Sequence, residues 1–589
     1  MSLIARIGVG IGALLLFAAV GTADAARKPK DLLQYIPADT PYVVAFTEPL
    51  PDDLVDRMEP AMEETLSSYR TLIEFMLADA AAKFDEEQAS DDEATPLDEE
   101  EFRRFEAVMT EFMEIMSVQG LRDAGIGRDA LFAMYGDGLL PVIRLALTDG
   151  DKFDEAIARF EKKAEAKLET AEIRGMPYRY AELDEKARLI IATPKDDAVI
   201  AVVPVGYGEE RLAVTLGLEK PRESLYRSKA LRKIRKEYGF TEHALGFFDI
   251  ERIAASFLGD SSGRNADLFE LMEYDASQLD DTCRAEFAEL AGVVPRVVMG
   301  YTDVGARHMD GAMIVELRED IAAGLESLPA EVPGLGQDPG GLLSFGFALD
   351  PMALRTFYAA RLDAMEEDPF ECAALAELQA STAKGREALA QPLPPVVYNF
   401  RGILATVQDV TGFDMSTNQP PESIDAGIMF AFENAQDIVN MAAMMNPQVA
   451  ALNLLPDGKA RKLDLPELGE LAETAFAALS SSGLSVSLGE GAEQKAESML
   501  EADVASVGPL MSVSMDAGRY YEFVGQAVMQ ADESEEGEPT PIEVREAMRD
   551  IVLSSGSVSY THLRAHETAY TISYALLIFK KWGGGGGGG

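Results

Sequence analysis

The chain has 589 residues, and 101 acidic against 52 basic side chains leave a formal net charge of −49. A chain this acidic repels nucleic-acid phosphates and anionic lipid, which sets aside a nucleic-acid partner. Two cysteines are too few for a disulfide-dense scaffold or a cysteine-rich zinc site, and the length suits about three or four domains.

Residues 1–25 read as a signal peptide. Arg6 supplies the positive charge, residues 7–21 are a short apolar run, and Ala23-Asp24-Ala25 is a small-x-small cleavage site. The run is shorter than the roughly 20 residues a bilayer span needs. No later stretch is long and apolar enough either, so no transmembrane span is expected after signal removal.

Residues 26–135 begin with a strand at Tyr42 to Phe46. Met62, Leu66, Tyr69, Ile73, Met76 and Leu77 line one amphipathic helix, and Phe102, Phe105, Val108, Met109, Phe112 and Met116 line a second. Between them, Asp85 to Glu101 carries ten acids in seventeen residues. The run lacks the alternating Asp/Asn and fixed Gly of a calcium loop, so it reads as a solvated loop joining a helical hairpin.

Residues 136–265 read as a first α+β module. PVIRLALTDGDKFDEAIARF is a strand followed by a helix. Two further strands flank Pro194-Lys195-Asp196-Asp197, a tight turn that predicts antiparallel pairing. The only positive run, SKALRKIRKEYGF at 228–240, reads as a helix balancing the acidic surface, with a partner site as the alternative.

The second module, 266–400, opens on the hairpin PRVVMGYTDVGARHMDGAMIVEL and closes on GLLSFGFALDPMALRTFYAARLDAM. In the latter, Leu343, Phe345, Phe347 and Leu349 alternate with small residues, the period of two of a strand. Asp350 then stands at a helix N-cap with Pro351 at the first helical position. The third module, 401–557, holds strand material at Ser485 to Gly489 and ends in an acidic linker, Asp532 to Glu538. Residues 558–589 read as the non-native translation of a transposase-type sequencing adapter followed by a glycine homopolymer.

The strand–helix unit recurs, with Asp151, Asp249, Asp350, Asn434 and Asp516 as caps 98, 101, 84 and 82 residues apart. That exceeds the roughly 20–50 residues of solenoid repeats. The predicted class is α+β: repeated modules of mostly antiparallel sheet with helices on one face, plus the N-terminal helical hairpin.

Catalytic chemistry is hard to find. His243 and His308 each stand alone outside the tail, and no HExxH, CxxC or GxSxG occurs, so no catalytic, cofactor or metal residues are assigned. Ser381-Thr382-Ala383-Lys384 matches SxxK without its companion motifs and reads as a chance match. Gly8-x-Gly10 lies inside the signal peptide. Met441 to Met445 reads as core filling, with a promiscuous groove as the alternative. Cys283 and Cys372 are expected to form a disulfide in an oxidising compartment, stapling the ends of the second module.

PADTPYVVAF, YGDGLLPVIRLALTD, the Cys283 helix running into PRVVMGYTD, and GLLSFGFALD resemble an uncharacterised family of exported Gram-negative bacterial proteins. The similarity covers most of residues 30–530. It implies a periplasmic or secreted location and repeated strand–helix modules, and carries no catalytic residue with it. The expected function is non-enzymatic binding or scaffolding in the envelope, with another envelope protein as partner through the helical hairpin and the Met-rich faces. The alternatives are a carboxylate-based hydrolase, or a small-molecule or lipid binder with an apolar cavity.

Overall fold

The computed structural model describes residues 30–89, 99–128, 130–259, 265–306, 308–337, 340–412, 421–463, 474–505, 508–530 and 541–558. The expected signal peptide, most of the first acidic run, the linker at 532–538 and the tail from 559 onward lie outside the described residues.

The fold is α+β, with two antiparallel sheets in two units. The first unit takes the chain up to Glu316 together with Thr540–Val558, and the second runs from Leu317 to Pro539. No described helix is long and apolar enough to cross a membrane.

In the first unit the strands are β1 Tyr42–Phe46, β2 Phe132–Asp137, β3 Leu140–Ala146, β4 Glu169–Ile173 and β5 Met176–Glu182. They continue as β6 Ala187–Ala192, β7 Asp197–Pro204, β8 Ala244–Asp249, β9 Arg296–Val304 and β10 Met309–Glu316. Their order is β10-β9-β8-β1-β2-β3-β7-β6-β5-β4. The turn expected at Pro194 to Asp197 joins β6 to β7 as an antiparallel hairpin, with Ile191 opposite Ile200.

The helices of this unit include α1 Lys30–Leu33, α2 Asp52–Ala89, α3 Glu99–Ile115, α4 Gly150–Lys163, α5 Glu209–Thr215, α6 Leu225–Ser228, α7 Ala230–Tyr238 and α8 Ile250–Leu258. The middle of the sheet is covered on both faces. Ala198 and Ile200 of β7 join Phe153, Ile157 and Phe160 of α4 in one core. Val199, Ala201 and Val203, the residues between and beyond them, join Leu212 of α5 and Leu231 and Ile234 of α7 in another. That is why β7 reads as a nearly unbroken apolar run rather than an alternating one. Each such valine, leucine, isoleucine or phenylalanine contributes about 1.5–3 kcal/mol when fully buried. The helix Ile542–Val558 packs along α2 and buries Val544 and Ala547.

The second unit holds β11 Leu343–Ala348, β12 Phe400–Thr411, β13 Ser423–Phe432, β14 Arg461–Lys462, β15 Phe476–Leu479, β16 Gly483–Leu488 and β17 Met511–Met515. Their order is β14-β15-β16-β13-β12-β11-β17. The first sheet contains the same arrangement as β5-β6-β7-β3-β2-β1-β8. In each unit the opening strand lies between the second strand and a late one: β1 between β2 and β8, β11 between β12 and β17.

This common order explains the recurring strand–helix unit. β3 and β13 correspond, β8 and β17 correspond, and α9 Pro351–Glu367, α10 Ala435–Met445 and α11 Ala517–Gln530 follow β11, β13 and β17. The internal repeat is therefore a whole sheet. The hairpin β9–β10, read from sequence as the opening of the second module, lies at the edge of the first sheet.

Four of the five expected caps hold. Asp249 accepts from the Arg252 N–H, Asp350 from Met352 and Ala353, Asn434 from Asp437, and Asp516 from Arg519. The fifth is corrected. Asp149, not Asp151, caps α4, because Asp149 keeps an extended backbone and its carboxylate accepts from the Asp151 and Lys152 N–H groups. Asp151 falls in the first helical turn, where its charge meets the positive end of the helix dipole.

Candidate functional site

Residues 205–243, between β7 and β8, contain three helices, whereas the corresponding stretch 489–510 of the second unit contains one. The addition builds a groove. Ser224 caps α6, its hydroxyl accepting from the Arg227 N–H. Lys229 takes a left-handed conformation at φ 61 and turns the chain directly into α7, which ends at Gly239, also left-handed at φ 73. This turn brings Arg227, Lys229, Arg232 and Arg235 to one opening, while Ile234 enters the core and Leu231, also buried, reaches the groove floor.

The groove has a volume of about 670 Å³, within the roughly 300–1,000 Å³ of ligand clefts. Leu33 of α1, Leu225, Leu231 and Leu245 of β8 give it an apolar lining. Tyr226, 41% exposed, is also part of its wall. Thr47 also lines it, its hydroxyl donating to the Glu242 carbonyl at 2.5 Å.

The charge of the groove opposes that of the chain. Arg235 pairs with Glu242, the one carboxylate among the lining residues. The Arg227 guanidinium donates only to the Arg222 carbonyl, at 3.5 Å, and Lys229 and Arg232 have no ion pair among the described residues. Thr241, another lining residue, keeps a buried hydroxyl without a hydrogen-bond partner. Uncompensated cations and an unused hydroxyl beside apolar walls can hold an anion attached to a hydrocarbon.

A buried polar network ties β3 and β7 to the segment that follows α1. Arg144 on β3 is 1% exposed; its Nη1 donates to Asp197 at 3.1 Å and its Nη2 to the Thr215 carbonyl at 3.0 Å. Its guanidinium lies 4.5 Å from the centroid of the Tyr35 ring, and Lys220 approaches the same ring at 5.8 Å. Tyr35 follows α1, and the Ile36 carbonyl accepts from the Leu225 N–H at the start of α6. Alongside, Tyr207 donates to Asp137. Burial and the Asp137 charge push the Tyr207 pKa up.

The residues singled out from sequence are scattered. His243 binds the Pro49 carbonyl at 2.8 Å and is structural, whereas His308 lies beside Asp303 in the β9–β10 hairpin. Ser381 bonds back to the Leu378 carbonyl on an exposed helical face, as a chance SxxK match would. The Met441 to Met445 segment is not core filling: Met444 and Met445 are each 82% exposed at the end of α10. Cys283 is buried in the first turn of the helix Asp281–Ala291 in the first unit, and Cys372 is 1% exposed in the second. Neither is a free thiol.

Sequence reasoning missed the groove as a cavity, because its lining comes from four separated segments. The signal that could have found it is the lone basic run in an acidic chain. No family model, curated protein or solved structure matches the chain.

Proposed function

We propose that this chain is a non-enzymatic binding protein of the cell envelope, and that the groove beside α6 and α7 takes an acidic amphiphile: a carboxylate or phosphate head on an acyl chain. The observation that carries this reading is the cluster of Arg227, Lys229, Arg232 and Arg235 around an apolar-lined groove in a chain of net charge −49. The signal-like N-terminus and the resemblance to exported proteins support the location. Leu33, with the edges of the buried Leu225, Leu231 and Leu245, meets the acyl chain, the free cations meet the head, and the Thr241 hydroxyl supplies a hydrogen bond. The groove supports the small-molecule or lipid alternative, whereas only one carboxylate stands among its lining residues for the hydrolase alternative.

The test is titration with a fluorescent long-chain fatty acid and with the matching fatty alcohol. The acid binds at least about tenfold tighter than the alcohol, and Lys229→Glu with Arg232→Glu removes most of that difference, about 1.4 kcal/mol per factor of ten. Equal affinity for acid and alcohol, or no effect of the charge reversal, overturns the proposal.

A second reading rests on Met444 and Met445, whose exposure suits docking of another envelope protein. Cross-linking in envelope extracts, with Met444→Glu/Met445→Glu as the control, tests it: a partner captured equally by both chains refutes this face.

A further inference from the structure

Asp303 and Asp310 face each other across the β9–β10 hairpin, directly paired in the antiparallel register. Like charges placed opposite each other destabilise a strand pair, and here they do so on a chain already at −49. Between them comes His308, whose Nε2 lies 2.9 Å from Asp303 Oδ2. The turn is closed by the Gly305 N–H donating to the His308 carbonyl at 2.9 Å. The imidazole lies over Gly305, where an added Cβ would stand 2.5 Å from His308 Cε1. A side chain at that position would push the ring aside.

One ligand atom from each of the three residues lies within 4.8 Å of the others. Two ligands on a tetrahedral ion with bonds of 2.0–2.2 Å stand about 3.4 Å apart, so a modest closure of exposed side chains completes the geometry. One imidazole nitrogen and two carboxylate oxygens suit a borderline divalent ion. They do not suit calcium, which takes 6–8 oxygens.

We propose that Asp303, His308 and Asp310 form a binding site for a divalent transition cation of the zinc type at the tip of the β9–β10 hairpin. The ion would neutralise the opposed carboxylates, and three protein ligands would leave one position open to solvent or to a donor from another molecule. This site is separate from the groove and does not depend on what the groove binds.

The experiment is calorimetric titration of the full chain with zinc chloride at physiological salt, in the presence of about tenfold excess calcium to occupy diffuse carboxylate sites. His308→Gln removes the nitrogen ligand and Asp310→Asn one carboxylate, both at exposed positions. Because His562 and His566 lie in the tail, the readout is the difference between the wild-type chain and each variant. The wild-type chain binds one zinc more than either variant, or binds it on the order of tenfold tighter. An isotherm unchanged by His308→Gln overturns the site and leaves only a turn-stabilising ion pair. So does a zinc signal abolished by calcium, which would mark diffuse association with carboxylates.

Discussion

The Arg144 guanidinium lies 4.5 Å over the Tyr35 ring while its Nη1 binds Asp197, so one buried cation ties β3 and β7 to the segment that carries α1. Removing a single partner of a buried ion pair leaves the other charge uncompensated, at a cost of about 3–5 kcal/mol. Arg144→Met is expected to lower the urea midpoint of the first unit by that order. Arg144→Met with Asp197→Leu should recover part of the loss. A single variant as stable as the wild type would show that the pair does not hold this wall.

Burial also makes the first unit sensitive to alkali. Burial pushes the Tyr42 pKa up to about 12, and raises those of Tyr135, Tyr207 and Tyr301. A folded-state pKa above the unfolded value means that the neutral form is favoured by folding. The contribution is fully present below the unfolded pKa of about 10 and is lost as pH rises toward the folded one. Tyrosinate absorbance and circular dichroism followed together above about pH 10 should therefore change in step. Tyrosine ionisation completed while the fold persists would contradict this.

Asp350 accepts from the Met352 and Ala353 N–H groups at 2.7 and 3.1 Å, and Pro351 follows it. Asp350→Ala is expected to cost about 0.5–2 kcal/mol, and Asp350→Asn less, because the amide oxygen can still accept. Chemical denaturation of the three chains gives the ranking. Equal midpoints for wild type and Asp350→Ala would deny the cap its role.

For Cys283 and Cys372 the expected result is a cross-linked pair of tryptic peptides in the non-reduced protein, collapsing to two on reduction. Cys283 and Cys372 stand 89 positions apart, and closing a loop of that length stabilises by at most about 4–5 kcal/mol in the chain-entropy model, less any strain. Two freely alkylated thiols in the non-reduced protein would refute the pairing.

What could be read from the sequence is what a few neighbouring residues decide. The β11 alternation followed by Asp350 and Pro351 specifies strand, cap and helix within about ten positions, and four of five caps could be placed this way. The Asp149–Asp151 slip arose because both acids stand at the start of α4, and only the backbone conformation of Asp149 decides between them. Strand order was not legible, since Phe46 pairs with Ala244 through contacts that no local pattern encodes. The exposed Met444 and Met445 were misread for a related reason: apolar composition does not say which face a neighbouring element covers. The groove required Leu33, Thr47, Leu225 and Leu245 to meet, and only the basic residues on α6 and α7 hinted at it.

The position of β1 between β2 and β8 has a consequence for biogenesis. Val43 finds Tyr135 on one side early, but its partner on the other side, Phe247, emerges about 200 residues later. At about 5–20 residues per second, that edge stays open for tens of seconds of synthesis. An unpaired edge is a template for pairing with another chain. The nascent protein therefore passes through a stage that a chaperone must shield, and the second unit repeats it when β11 waits for β17. Ribosome-stalled chains ending before and after β8 should differ sharply in chaperone occupancy.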